Sequence, residues 1–184
     1  MSHSYSSGSK ILHWSMALII LSMLALGFSM VQSLAVWQVE AIALHKSFGI
    51  LAFILVIVRV VNRVKTPSPA LPDDLANTQK LAAKATQIGL YVAMFAMPLS
   101  GYLMQNADNR PVTFFEWFAL PNLISPNIEL YAVFREIHGL AAIIFLVLIT
   151  MHVCAALYHG IVRQDSVLSS MTMSSKSASS KHEE

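Results

Sequence analysis

The stretch IHGLAAIIFLVLITMHVCAALYHGIV, residues 137–162, contains no Asp, Glu, Lys or Arg. A helix rises about 1.5 Å per residue, so about twenty residues cross the roughly 30 Å hydrocarbon core of a bilayer. The stretch is long enough to do so. In hydrocarbon, backbone N–H and C=O groups must bond within the protein, so the stretch reads as a helix. Three others resemble it. No charged residue falls between Lys10 and Glu40, none in 47–58, and none in 85–107. The 47–58 stretch continues an apolar run that starts at Ala41 and passes through His45 and Lys46. Spans are therefore expected at 11–30, 41–61, 85–105 and 137–158. Pro98 lies inside the third, where membrane helices tolerate proline. The fold class that follows is an all-α membrane protein, a bundle of four transmembrane helices.

Composition agrees. Of 184 residues only 12% are charged and 55% are hydrophobic. A soluble domain carries about 25% charged residues, so a typical soluble enzyme and a disordered chain are both excluded. One cysteine, Cys154, excludes a disulfide scaffold. A net charge of +2 does not indicate nucleic acid as a partner. The first apolar run exceeds the 7–15 residue core of a cleaved signal peptide, so it is read as a span.

The organisation expected is a cytoplasmic N-terminus over 1–10, a four-helix domain over 11–163, and a disordered Ser-rich cytoplasmic tail over 164–184. Four spans place both termini on one side. That side carries nine basic residues, Lys10, Arg59, Arg63, Lys65, Lys80, Lys84, Arg163, Lys176 and Lys181, against Lys46, Arg110 and Arg135 on the other. Basic loops stay inside, so both termini are read as cytoplasmic in a multi-pass membrane protein. The inner loop with Thr66-Pro67-Ser68-Pro69 reads as a stiff connection, and 71–84 as a segment able to lie on the membrane surface. Phe114, Phe115, Trp117 and Phe118 in the outer loop suit the headgroup zone.

Five histidines lie within or beside the spans: His13, His45, His138, His152 and His159. An ionisable group there is costly and points to function. His138 and His152 are fourteen residues apart, nearly four helical turns, so they face alike and lie roughly 21 Å apart in depth. The depths define two layers. His45 and His138 share the outer one, and His13 and His152 the inner one. Zinc wants four ligands, or three and water, which two isolated imidazoles do not provide. A b-type haem wants two axial imidazoles in an apolar pocket. Two pairs therefore suggest two haem b groups stacked across the bilayer. No C-x-x-C-H run exists for covalent attachment.

Gly49 and Gly139, near the ligands, could admit a flat macrocycle. Arg59, fourteen residues after His45, reaches the inner layer, where it could pair with a haem propionate or snorkel to the surface. Arg63 is read as facing the headgroups. His159, about 10 Å beyond His152, could pair with His13 in its place, but spacing and apolar flanks favour His152. That leaves His159 as a candidate quinone or proton contact. Met16, Met23 and Met30 recur every seven residues and are read as packing.

Several runs resemble the bacterial cytochrome b561 family. They are Ile11-Leu12-His13-Trp14, Leu44-His45-Lys46-Ser47-Phe48-Gly49, Met97-Pro98-Leu99-Ser100-Gly101 and Glu136-Ile137-His138-Gly139. They also include His152 to His159 and the Val58 to Pro69 run, which has the pattern Arg-x-x-x-Arg-x-Lys-x-Pro-x-Pro. The resemblance implies a four-helix inner-membrane cytochrome of the respiratory chain. It implies two b haems, ligated by His13 with His152 and by His45 with His138. It also implies electron exchange between ubiquinone or another quinone on the inner side and a donor or acceptor on the periplasmic side. Two variants are implied by relatives: the cytochrome b subunit of a larger dehydrogenase, and a superoxide oxidase passing electrons to ubiquinone. The outer face has Lys46, Arg110 and Arg135 against five acids, Glu40, Asp108, Glu116, Glu129 and Glu136. That balance is a poor funnel for an anion.

Overall fold

The structure is a computed structural model and describes residues 4–172 apart from 33, 67, 68, 71 and 73. Four long helices dominate it: α1 (Ser7–Val31), α2 (Trp37–Lys65), α3 (Asn77–Ala107) and α4 (Ile128–Leu157). All four are long and apolar enough to cross a membrane. Helix α4 continues into a π-helical turn, Tyr158–Arg163, and then a short helix, α5 (Ser166–Ser169). A two-residue hairpin, β1 (Thr113–Phe114) with β2 (Phe118–Ala119), lies between α3 and α4.

Three of the four long helices begin with a side chain bonded to an N–H group at their start, while α2 begins after Val36 without one. Ser6 Oγ accepts from the Ser9 amide at 3.2 Å. Asn127 Oδ1 accepts from the Leu130 amide at 2.9 Å. Gln79 Oε1 accepts from the Ala76 amide at 3.1 Å, reaching back over the start of α3. With these caps α1, α3 and α4 start before their apolar stretches. The segment expected on the membrane surface instead supplies the first turns of α3 from Asn77 on, and the α4 helix takes up the last part of the outer loop. Pro67, Ser68, Leu71 and Asp73 of the proline-rich inner connection lie outside the described residues.

The packing is uneven. Helix α1 packs along α2, α2 along α3, and α3 most extensively along α4, while neither α1 nor α2 packs closely on α4. A slot therefore separates α4 from the α1–α2 pair. Gly89 lets α3 and α4 approach, since a Cβ there would stand 3.2 Å from Leu148 Cδ1. Ile143, Ile144, Val147 and Met151 of α4 are exposed, as a lipid-facing surface requires.

Both ends of the described chain meet at one end of the bundle. The Tyr5 amide donates to the Ser170 carbonyl at 3.1 Å. Trp14 Nε1 donates to the Met171 carbonyl at 3.1 Å. The tail expected to be disordered from 164 is thus structured at its start, because Asp165 Oδ1 caps α5 by accepting from the Val167 amide at 3.0 Å. Residues 173–184 of that tail lie outside the described residues.

The opposite end carries the hairpin. Its aromatic rings pack on one another, and Phe115 meets Phe48 of α2 at 5.3 Å between ring centres. Ser47 ties the hairpin to α2. Its hydroxyl accepts from the Phe115 amide at 3.0 Å and lies 3.3 Å from the Thr113 carbonyl. Replacing Ser47 by Ala leaves that amide without its partner and should cost about 1 kcal/mol. The readouts are the unfolding midpoint in detergent and the rate of proteolysis within 108–125, which should rise. No change in either would mean that the ring contacts hold the hairpin alone.

Candidate functional site

The slot is bridged by histidines. Near the terminal end, His13 of α1 faces His152 of α4 with ring centres 6.2 Å apart. Near the hairpin end, His45 of α2 faces His138 of α4 at 6.3 Å. The distance is informative. An imidazole nitrogen binds a first-row metal such as zinc at about 2.0 Å, and its ring centre lies ~1.1 Å behind it, so two imidazoles that held one metal between them would have centres roughly 6.2 Å apart. Both pairs match that spacing. Among the described residues no cluster of three or more His, Cys, Asp or Glu could hold a bare metal ion. The pairs therefore suit a metal whose other coordination positions come from a macrocycle.

The hairpin-end pair fits such a group in its surroundings too. His138 Nδ1 lies 3.0 Å from the Met97 carbonyl and 3.0 Å from Ser100 Oγ. A carbonyl only accepts, so Nδ1 carries the proton and Nε2 keeps its lone pair. That is the tautomer a metal ligand needs. Pro98, which has no N–H, sits in the α3 turn beside the accepting carbonyl. His45 Nδ1 is buried and has no hydrogen-bond partner. Glycines flank both rings. A Cβ on Gly27 would stand 3.4 Å from His45 Cε1, and one on Gly101 would stand 3.1 Å from His138 Cε1. A cavity of about 70 Å³ lies between the pair, among Met23, Met94, Met97, Val56 and Phe145. A macrocycle is larger than this space, so seating one requires the flexible Met side chains to turn aside.

The glycines named from sequence behave differently. A Cβ on Gly139 would meet nothing within 4 Å, and one on Gly49 would make only ordinary contact with Met23. The close approaches belong to Gly27 and Gly101. Gly101 and the Met97–Ser100 pair lie in the one span without histidine, so only the resemblance carried by the Met97–Gly101 run, and nothing in residue type, singled them out.

At the terminal-end pair, Arg59 Nη2 lies 3.2 Å from His13 Nδ1. A guanidinium only donates, so His13 accepts there and carries its own proton on Nε2. Arg63 does not point simply to the headgroups: its Nη1 is buried without a partner. His159, on the π-helical turn, is not brought to His13. It bonds Asp165 Oδ2 at 2.6 Å through Nδ1. Met16 is buried and Met23 lines the cavity, in keeping with packing.

The hairpin-end cations are largely occupied. Arg110 pairs with Asp108 at 2.6 Å. Lys46 Nζ donates to the Pro111 carbonyl at 3.0 Å.

Four apolar helices with two imidazole pairs set across one slot define a membrane protein of the cytochrome b class. The chain belongs to the prokaryotic cytochrome b561 family, whose pattern it matches over residues 4–174. It is 34% identical over 175 residues to cytochrome b561 homolog 2 of Escherichia coli K12, covering 94% of this chain and 93% of that protein. It is 28% identical over 124 residues to cytochrome b561 homolog 1 of the same organism, covering 67% of this chain and 70% of that protein. The family implies b-type haem and transmembrane electron transfer.

Gly101→Val should push the His138 ring aside and lower the haem bound per protein. Gly139→Val, where the added atoms meet open space, should not. Equal haem content in the two variants, with both inserted in the membrane, would remove the Gly101 approach from the site.

Proposed function

We propose that the chain carries electrons across the bacterial inner membrane through two b haems, exchanging them with a quinone at the cytoplasmic end and a partner at the periplasmic end. The observation that carries this reading is the pair of 6.2 Å and 6.3 Å imidazole separations on opposite halves of one slot. His13 and His152 hold the inner haem iron, and His45 and His138 the outer. The haems supply one-electron redox chemistry. The protein supplies ligands, an apolar pocket and exclusion of water.

The terminal end is assigned to the cytoplasm by its basic loops, nine basic residues against three. The charge at Arg59 acquires a role in this reading. His13 must present a lone pair to iron, which requires the proton to move from Nε2 to Nδ1. Arg59 must then leave Nδ1, and an inner-haem propionate is the anion it turns to, as a charge-assisted pair. His159 lies beyond the inner pair toward the cytoplasm and is placed in this reading at the quinone. Arg110, paired with Asp108, adds no net charge for the superoxide variant, which is left with Lys46 and Arg135.

His152→Ala should reduce two bound haems per chain to one and leave the outer haem reducible. Loss of neither haem, or loss of the outer one alone, contradicts the assignment. Arg59→Leu removes a positive charge beside the inner haem and should lower that haem's reduction potential, leaving the outer one unchanged. Potentiometric titration checks this, and identical potentials in both proteins would separate Arg59 from the inner haem.

A further inference from the structure

The terminal end holds a charged assembly that haem ligation does not use. Asp165 Oδ2 bonds His159 Nδ1 at 2.6 Å and accepts from Arg163 Nε at 3.0 Å, while its Oδ1 caps α5. Arg163 Nη2 also donates to Asp74 at 2.6 Å, which ties the inner loop to the end of α4. Burial pushes the Asp165 carboxyl up, but the donors His159, the Val167 amide and Arg163 outweigh it and hold the group below its ordinary value. Asp165 is thus a carboxylate, and a carboxylate only accepts, so His159 carries its proton on Nδ1. Nε2 is left for another partner.

The placement is unusual for a capping residue alone. His159 sits on a π-helical turn, a form common at functional sites. Its side chain and that of Asp165 are each only 16% exposed. A cleft of about 380 Å³, lined by Gly160, Gln164, Asp165, Leu168, Ser169 and Thr172, opens beside them. The dyad therefore sits beyond the inner imidazole pair along α4 and its π-helical turn, with Asp165 on the wall of that opening. The Tyr158 ring meets His159 edge-on, with ring centres 5.9 Å apart.

We propose that Asp165 is a positioning residue for proton transfer at the quinone, holding His159 in the tautomer that presents Nε2 to a quinone oxygen. The inference rests on the quinone reading above. Reduction of a quinone to a quinol takes two electrons and two protons. The electrons are those delivered from the inner haem, one at a time. His159, protonated on both nitrogens, gives the Nε2 proton to the quinone oxygen, an O–H bond forms as the N–H bond breaks, and Nε2 is reprotonated from the cytoplasmic water. The second proton follows by a repeat of that step. Quinol oxidation is the reverse, with His159 Nε2 as acceptor. Asp165 stays ionised throughout.

The test is Asp165→Asn. Asn caps a helix as well as Asp, so α5 is kept. The amide cannot serve as acceptor to both Nδ1 and Arg163 as the carboxylate does, and the same change in a Ser-His-Asp triad leaves geometry intact while favouring the wrong tautomer. Haem-loaded wild type, with a short-chain ubiquinone analogue as probe, should turn over with a kcat about 10²-fold above the variant, a size typical of proton-transfer catalysis. KM should stay within about threefold, as expected when a chemical step and not binding is lost. Haem content and spectrum should be unchanged. Nitrogen NMR of labelled histidine should report Nδ1–H at His159 in wild type and Nε2–H in the variant. Asp74→Asn, which frees Arg163 but keeps the dyad, should retain wild-type turnover. The proposal is overturned by an unchanged kcat in Asp165→Asn, by an Nε2–H tautomer in wild type, or by equal losses in Asp74→Asn. Wild-type haems that exchange electrons with no quinone would overturn the quinone reading itself, and this inference with it.

Discussion

The cost of placing imidazoles in hydrocarbon governs this molecule. An ionisable side chain within a span needs a partner, and four of the five here face one another across the same slot. Helix α4 packs on α3 and leaves its histidine-bearing face toward α1 and α2. Side chains narrow that space to a cavity of about 70 Å³ at the hairpin-end pair. The helices approach there at glycines, with Gly27 beside His45 and Gly101 beside His138.

The two halves of the slot are prepared differently. His138 is held by two α3 acceptors and already has the proton on the nitrogen away from the lone pair needed for a metal. His13 is held by Arg59 in the opposite tautomer. One end is shaped by the Met97 carbonyl and the Ser100 hydroxyl, the other by the Arg59 cation. Loop anchoring follows the same division. Ser47 pins the aromatic hairpin at one end, and Arg163 with Asp165 and Asp74 pins the inner connection at the other.

Much of this was legible in the sequence because charge is so scarce. Charge-free stretches located the four spans, and the fourteen-residue interval from His138 to His152 placed two imidazoles on one face. Helix ends were not legible, since Asn127 and Gln79 extend α4 and α3 by capping rather than by hydrophobicity. The hairpin was missed because strands of two residues carry no alternation to read. The Met97 carbonyl was missed because backbone acceptors have no signature in residue type. Asp165 was missed because a Ser-rich tail reads as disorder, and only the fold brings His159 onto it. The glycines show the same limit: Gly49 and Gly139 stand near the histidines in sequence, whereas Gly27 and Gly101 stand near them in space.

The central claim is the proposal that each imidazole pair would hold the iron of one haem. It is tested most directly by haem stoichiometry on the purified protein together with electron paramagnetic resonance of the oxidised iron. The account predicts two haems per chain, both low-spin with two imidazole ligands. One haem per chain, none, or a high-spin iron with an open position in the intact protein would contradict it.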